Sequence, residues 1–347
     1  MSRIEILGWL LVTSLGGSLH AQLPTVTDRD SQFIFTEPVT ASCHASTIEE
    51  VRPGRLLAAW FGGSREGGKD VGIYLSEHTN GTWSPPRRVI DPLVTKGDTL
   101  PCWNPVLYRS RRGELYLFYK VGKNPREWFG ALRTSPDDGQ SWSTATYLPD
   151  GILGPVRNKP IELEEGIILC GSSTEDPLDN TWRVHLERYT EATGTWERIP
   201  VPNPARLEAI QPTLLRHGID TVQILCRSKH GKLAESWSTD GGDSWSPLDT
   251  TTIVNSNSGV DAVALASGGY LLVNNPLTPG RDWWNGRNVL DLSYSPDGEA
   301  WHPLLDLERH AEGEYSYPAI IQAGDGRVHI SYTFDRRYIK HVSFLVK

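Results

Sequence analysis

Short apolar runs recur along the whole chain, and each is bounded by Gly, Pro, Asn, Asp or Ser. Examples are Arg55–Phe61, Val71–Leu75, Glu114–Tyr119, Gly166–Cys170, Val222–Cys226, Tyr270–Val273 and Val328–Tyr332. Runs of roughly four to eight residues, rich in β-branched and aromatic side chains and closed by turn-formers, predict β-strands. Many follow directly on a glycine turn: Pro53-Gly54, Arg112-Gly113, Gly268-Gly269 and Asp325-Gly326. Thirteen tryptophans, 33 glycines and 24 prolines against a single methionine fit many short strands with tight turns better than long helices.

A repeat organises these runs. Ser135-Pro-Asp137-Asp-Gly139-Gln-Ser-Trp142 and Ser238-Thr-Asp240-Gly-Gly242-Asp-Ser-Trp245 share the pattern S-x-D-x-G-x-x-W. Ser295-Pro-Asp297-Gly298-Glu-Ala-Trp301 is a shortened copy, and Asn80–Trp83 and Thr193–Trp196 keep only its end. The five tryptophans lie roughly 50–60 residues apart, which suits one four-stranded antiparallel blade per repeat. In such a turn Asp accepts backbone N–H bonds, Gly supplies a positive φ and Trp packs between sheets. Asp137, Asp240 and Asp297 are therefore turn-formers and not catalytic acids. Five marks plus terminal strands predict an all-β, six-bladed β-propeller of four-stranded antiparallel blades. Early strands near Phe33–Val39 should complete the blade formed by the chain end and close the ring. A β-sandwich does not repeat a four-stranded unit in this way.

Composition narrows the partners. A net charge of -8 disfavours nucleic acid and anionic membrane, although arginines can reverse the field inside one pocket. Residues 1–21 read as a signal peptide: Arg3 precedes an apolar stretch from Ile6 to Leu19, and Leu19-His20-Ala21 offers a cleavage site. The expectation is a secreted or periplasmic protein with one domain over 22–347. No later stretch is long and apolar enough to span a membrane. Cys43, Cys102, Cys170 and Cys226 allow two disulfides or four buried thiols. Asn80-Gly81-Thr82 is a glycosylation sequon. No nucleotide loop, EF-hand or HExxH pattern is present, so no cofactor and no metal are expected.

The repeated boxes resemble the Asp-boxes of the sialidase superfamily, and the likeness covers nearly the whole mature chain. Cys43–Thr47, Ala59–Glu66, Cys102–Val106, Arg157–Pro160 and Glu314–Pro318 look like a bacterial-type branch with a BNR-like repeat domain. The resemblance implies a set of roles. Arg227 and Arg287 match two of the three arginines that grip a substrate carboxylate, and His44 stands in the place of the first. Asp70, after Arg65, matches the acid–base aspartate. Tyr315, in Tyr315-Ser316, matches the nucleophile. Gln211 stands where the glutamate that activates this tyrosine is expected, with Glu208, Glu312 or Glu314 able to compensate.

Two departures bear on chemistry. A histidine does not reproduce an arginine fork on a carboxylate, and a neutral amide does not take a proton from a phenol. Three functions are then open. Hydrolysis of an acidic sugar would use Asp70 as acid, Tyr315 as nucleophile and Arg227 with Arg287 as the grip. A lyase acting on rhamnosyl-glucuronate or other uronate linkages would use His44 or Tyr315 as base, with arginines stabilising the enediolate charge. A non-catalytic glycan-binding propeller is the third. Arg65, Asn104, Lys120, Arg157, Asn158, Lys159, Asp261 and Glu314 add polar groups expected at strand ends around one funnel. The partner in each case is an acidic oligosaccharide or polysaccharide. Trp283-Trp284, in a Gly- and Asn-rich stretch, is a candidate sugar-stacking rim.

Overall fold

The computed structural model describes residues 23–282 and 284–347. The signal-peptide expectation for 1–21 and the Trp283 half of the proposed rim lie outside the described residues. Six antiparallel sheets are arranged as blades. Blade 1 holds Ser42–Arg52, Arg55–Gly63 and Gly72–Thr79, with Thr82–Trp83 and Arg87–Ile90 both pairing with its third strand. Blade 2 holds Cys102–Arg109, Leu115–Val121, Phe129–Ser135 and the very short Thr146–Tyr147. Blade 3 holds Ile161–Glu164, Ile167–Glu175, Trp182–Thr190 and Thr195–Pro200. Blade 4 holds Ala209–Arg216, Val222–Ser228, Lys232–Ser238 and Asp249–Val254, and blade 5 Asp261–Ala264, Tyr270–Asn274, Val289–Ser295 and His302–Arg309.

Blade 6 closes the ring. Tyr315–Gln322, Val328–Phe334 and Tyr338–Val346 come from the chain end, and Val26–Phe33 from its beginning supplies the outer strand. Val26 pairs with Val346 and Phe33 with Lys340. The closing strand thus lies just ahead of the expected Phe33–Val39. Ile34 N still bonds the Ile339 carbonyl at 2.9 Å, after which Phe35 stacks on Trp60 of blade 1 at 5.2 Å. Among the described residues no helix is long and apolar enough to cross a membrane. The four cysteines are buried free thiols, which decides between the two readings of their number.

The boxes turn between the third and fourth strands of blades 2, 4 and 5. Asp137 takes Ser141 N at 2.7 Å, Asp240 takes Ser244 N at 2.9 Å and Asp297 takes Ala300 N at 2.9 Å. Each box glycine sits at positive φ and lies against the preceding blade. A Cβ on Gly139 would stand 2.4 Å from Leu57, one on Gly242 3.1 Å from Leu169, and one on Gly298 2.7 Å from Gln223. The box therefore fastens a blade to the second strand of its predecessor, a contact open only to a residue without a side chain.

A second repeated device shapes the axis. The inner strands of blades 1, 2, 4 and 6 lose register at Ala45-Ser46, Asn104-Pro105, Gln211-Pro212 and Tyr317-Pro318. The first residue of each pair has positive φ, at 55°, 37°, 59° and 54°. Proline suits a bulge because it has no N–H to give to the ladder. The bulge breaks the alternation of a regular strand and re-aims one side chain towards the axis.

Candidate functional site

Tyr317 is the centre of the axial cluster. Its left-handed backbone is costly for a bulky residue, on the order of 1–3 kcal/mol, and such conformations persist where the surroundings over-determine them. Arg227, at the end of the second strand of blade 4, donates from Nη1 to the Tyr317 phenol oxygen at 2.7 Å. The guanidinium carbons of Arg157, Arg227 and Arg287 lie 5.3, 5.5 and 5.8 Å from the Tyr317 ring centre. The His44 ring stands 4.1 Å from the same ring.

His44 is buried. Its Nδ1 is 2.9 Å from Thr333 Oγ1, and its Nε2 has no hydrogen-bond partner. Burial first, then the charges of Arg336, Arg287, Arg157 and Arg227, hold its proton affinity well below the ordinary imidazole value. The ring is therefore neutral at pH 7. Arg157 is also buried, with Nη2 on the Pro318 carbonyl at 2.6 Å and with Nε and Nη1 unpartnered, and burial brings its pKa down to about 10. Several cations crowd one desolvated volume, a field that favours an entering anion.

Above this cluster opens a cavity of about 240 Å³ lined by Glu66, Trp182, Arg227, Asn257, Arg287, Tyr317 and Arg336. Arg287 donates to Glu314 Oε1 at 3.0 Å and to the Asn257 carbonyl at 3.2 Å. Arg336 reaches Glu314 Oε2 at 2.8 Å and is also paired with Glu66. Glu314 is thus a brace that holds two arginines, and the charges of Arg336 and Arg287 help to keep it below the usual carboxylate range against the opposing effect of its burial. Trp182 presents its ring 5.2 Å from the Arg227 guanidinium.

The structure brings His44, Arg157, Arg227, Arg287 and Glu314 together. It places other nominated residues between blades. Asn104 Nδ2 holds the Val156 carbonyl at 3.0 Å, Asn158 Nδ2 holds the Gln211 carbonyl at 3.2 Å, and Lys120 Nζ holds the Pro155 carbonyl at 2.8 Å. Lys120 is fully buried, which lowers its pKa to about 7. Gln211 takes the bulge, and its backbone N–H bonds Ser173 Oγ at 3.1 Å. Asp261, on blade 5, ties that blade to blades 4 and 6 and to the segment entering blade 3: it accepts from Thr213 Oγ1 at 2.7 Å, Ile320 N at 2.9 Å and Lys159 Nζ at 2.9 Å.

Three nominated residues stand elsewhere. Tyr315 packs against His310 and Phe334 with ring centres 4.7 Å away, and its hydroxyl faces the Glu312 carbonyl. Two residues apart, Tyr315 and Tyr317 would share a face in a regular strand, and the bulge at Tyr317-Pro318 separates them. Asp70 is exposed and turned back on its own loop, with Ser64 N at 2.7 Å and Ser64 Oγ at 2.8 Å. Those bonds, the Ser64 hydroxyl foremost, lower its pKa and keep it a carboxylate. Arg65 is exposed on that loop, where its carbonyl accepts from Gly68 N. Glu66 is the acid of this loop that faces the cavity.

Tyr317, Glu66, Arg336, Trp182 and Asn257 were not singled out from sequence. A signal for Tyr317 did exist: a polar or aromatic residue followed by proline recurs on the inner strands as Asn104-Pro105, Gln211-Pro212 and Tyr317-Pro318, and just ahead of one as Lys159-Pro160.

A family model described as BNR repeat-like domain matches residues 54–330. No match was found among curated proteins. Among solved structures, a protein of unknown function from Dyadobacter fermentans superposes with a TM-score of 0.71 at 15% identity, over 94% of this chain and 98% of that one. The intramolecular trans-sialidase from Ruminococcus gnavus, in complex with oseltamivir carboxylate, gives 0.70 at 13% identity, over 91% and 97%. A Hadza microbial sialidase gives 0.70 at 18% identity, over 88% of this chain and 66% of that one. At these identities the likeness is one of fold.

Proposed function

The chain belongs to the BNR repeat-like domain family, and from that premise we propose that it is an exo-acting glycosidase that removes one acidic sugar from a glycan, with Tyr317 as nucleophile. The observation that carries this reading is the 2.7 Å bond from Arg227 Nη1 to the Tyr317 oxygen inside an arginine-lined cavity. A guanidinium fixed on that oxygen is pre-organised to stabilise negative charge developing there. A cavity of about 240 Å³ suits a terminal sugar better than the middle of a chain. Arg227, Arg287 and Arg336 complement a sugar carboxylate, and Trp182 gives an apolar wall for a ring face.

The steps follow from these groups. Tyr317 Oη bonds to the anomeric carbon while the glycosidic C–O bond breaks. Its phenolic proton passes through a bridging water to His44, whose ring stands 4.1 Å from the Tyr317 ring, and Glu66 protonates the leaving oxygen. Water then adds to the anomeric carbon, gives its proton to Glu66 and frees Tyr317, which recovers its own proton from His44. The entering carboxylate matters for both proton carriers. By offsetting the arginine charges it raises the proton affinity of His44, and by pairing with Arg336 it competes with the Glu66–Arg336 ion pair.

One observation favours a second reading. The neutral His44 ring lies against Tyr317 with no carboxylate bonded to either ring nitrogen, an arrangement suited to abstracting the proton beside a uronate carboxyl. Product analysis on sialosides, uronosides and rhamnosyl-glucuronate polymers separates the two. Hydrolysis releases a saturated acidic monosaccharide. Elimination yields a conjugated product that absorbs in the ultraviolet, and that outcome replaces the glycosidase with a lyase. Saturable binding of these glycans with no product would reject both and leave a binding module.

A further inference from the structure

A larger cavity, of about 700 Å³, lies far from the axis, between the outer halves of blades 2 and 3. Its origin is the missing box of blade 3. In blades 2, 4 and 5 the box glycine fastens onto the preceding blade, but the corresponding Gly194 of blade 3 has no atom within 4 Å of where a Cβ would stand. This shorter turn meets the second strand of blade 2 through Glu191, which accepts from Tyr116, but its glycine does not pack on that strand. The outer strand of blade 2, Thr146–Tyr147, is also too short to close the other side. What remains is an open groove at the turns between first and second and between third and fourth strands, the end of the blades opposite the axial pocket.

The lining is aromatic and hydrogen-bonding together. Tyr189 stacks on Trp196 at 4.6 Å, Tyr116 stands edge-on to Tyr189 at 6.1 Å, and Tyr147 is 49% exposed at the opposite wall. Glu191 accepts from the Tyr116 hydroxyl at 2.8 Å through Oε1, while its buried Oε2 has no hydrogen-bond partner. Arg112 lies 3.8 Å from that Oε2. Flat apolar ring faces beside a carboxylate acceptor and a guanidinium donor match the apolar faces and vicinal hydroxyls of a pyranose. Glu114 and Glu191 both line the groove, so its charge opposes an anionic sugar. We propose that this groove binds a neutral pyranose segment of a polysaccharide and docks the protein on the polymer independently of the axial pocket.

The test is calorimetric titration of the full chain with neutral gluco-, manno-, galacto- and xylo-oligosaccharides, with a uronate oligosaccharide as the anionic comparison. Tyr147→Ala and Glu191→Gln probe the groove, and Tyr317→Phe probes the axis. The expected result is saturable binding of at least one neutral oligosaccharide, weakened about tenfold or more in either groove variant and retained in Tyr317→Phe. Tyr147 is exposed and Glu191→Gln is nearly isosteric, so a urea midpoint near wild type will show that both variants fold. No neutral oligosaccharide binding up to millimolar concentration would overturn the proposal. So would binding that both groove variants leave intact, or that only Tyr317→Phe abolishes.

Discussion

Arg227 Nη1 and the phenol oxygen of Tyr317 lie 2.7 Å apart, which joins the second strand of blade 4 to the inner strand of blade 6 across the propeller axis. If this contact serves chemistry, a lysine will not replace the arginine. Lys carries a point charge and lacks the planar fork that holds both the phenol and a sugar carboxylate. Arg227→Lys should fold normally and lose about 10²–10³-fold in kcat/KM on an acidic glycoside, read from steady-state rates. Near-wild-type kinetics would remove Arg227 from the site.

Asp261 makes a different kind of prediction. Its buried carboxylate receives Thr213 from blade 4, Lys159 from the segment entering blade 3 and Ile320 from blade 6. Asp261→Ala strands all three donors and should destabilise by about 3–5 kcal/mol, as when one partner of a buried ion pair is removed. Asp261→Asn keeps an acceptor and should lose less. Urea midpoints measure both.

The account of the boxes can be checked with two glycines. Gly139 and Gly194 both sit at positive φ, but only Gly139 faces the preceding blade. Gly194→Ala should cost only the backbone strain, about 1–2 kcal/mol. Gly139→Ala adds a clash with Leu57 and should lose about 1–3 kcal/mol more. Equal losses in denaturant titrations would contradict the proposed fastening role.

Acid should weaken the seam between blades 1 and 6. His329 Nδ1 lies 3.0 Å from His341 Nε2, with the His78 and His341 ring centres 5.6 Å apart. Burial lowers all three pKa values, that of His329 to about 4 from 6.5. Above pH 6.5 neither state gains protons at these rings. Below it the unfolded chain takes them up first, so stability falls from pH 6.5 towards about 4, by up to about 1.4 kcal/mol per pH unit for His329. His329→Gln should flatten the pH dependence of thermal stability over that range. An unchanged slope would show that the cluster does not contribute.

The ring was legible in the sequence because box turns are local: Ser, Asp, Gly and Trp act within one hairpin and repeat with the blade. Arg227 and Arg287 were nominated through the family resemblance, each by its place ahead of a box, and both line the axial cavity. Which tyrosine faces the axis was not legible. Choosing between Tyr315 and Tyr317 depends on a bulge that exists only when the inner strand pairs with Val328–Phe334. Glu66 and Arg336 were hidden for another reason. They meet across 270 positions at the closing seam, and no local pattern records such a pairing. Asp70 matched a spacing, but its loop satisfies it with Ser64, and the neighbouring glutamate faces the cavity instead.

The most direct test compares turnover of an acidic glycoside by Tyr317→Phe and Tyr315→Phe. Each change removes one oxygen and preserves ring packing. The axial account predicts that Tyr317→Phe loses about 10²–10⁴-fold in kcat with little change in urea midpoint, and that Tyr315→Phe keeps near-wild-type turnover. Loss of activity in Tyr315→Phe with retention in Tyr317→Phe would contradict it.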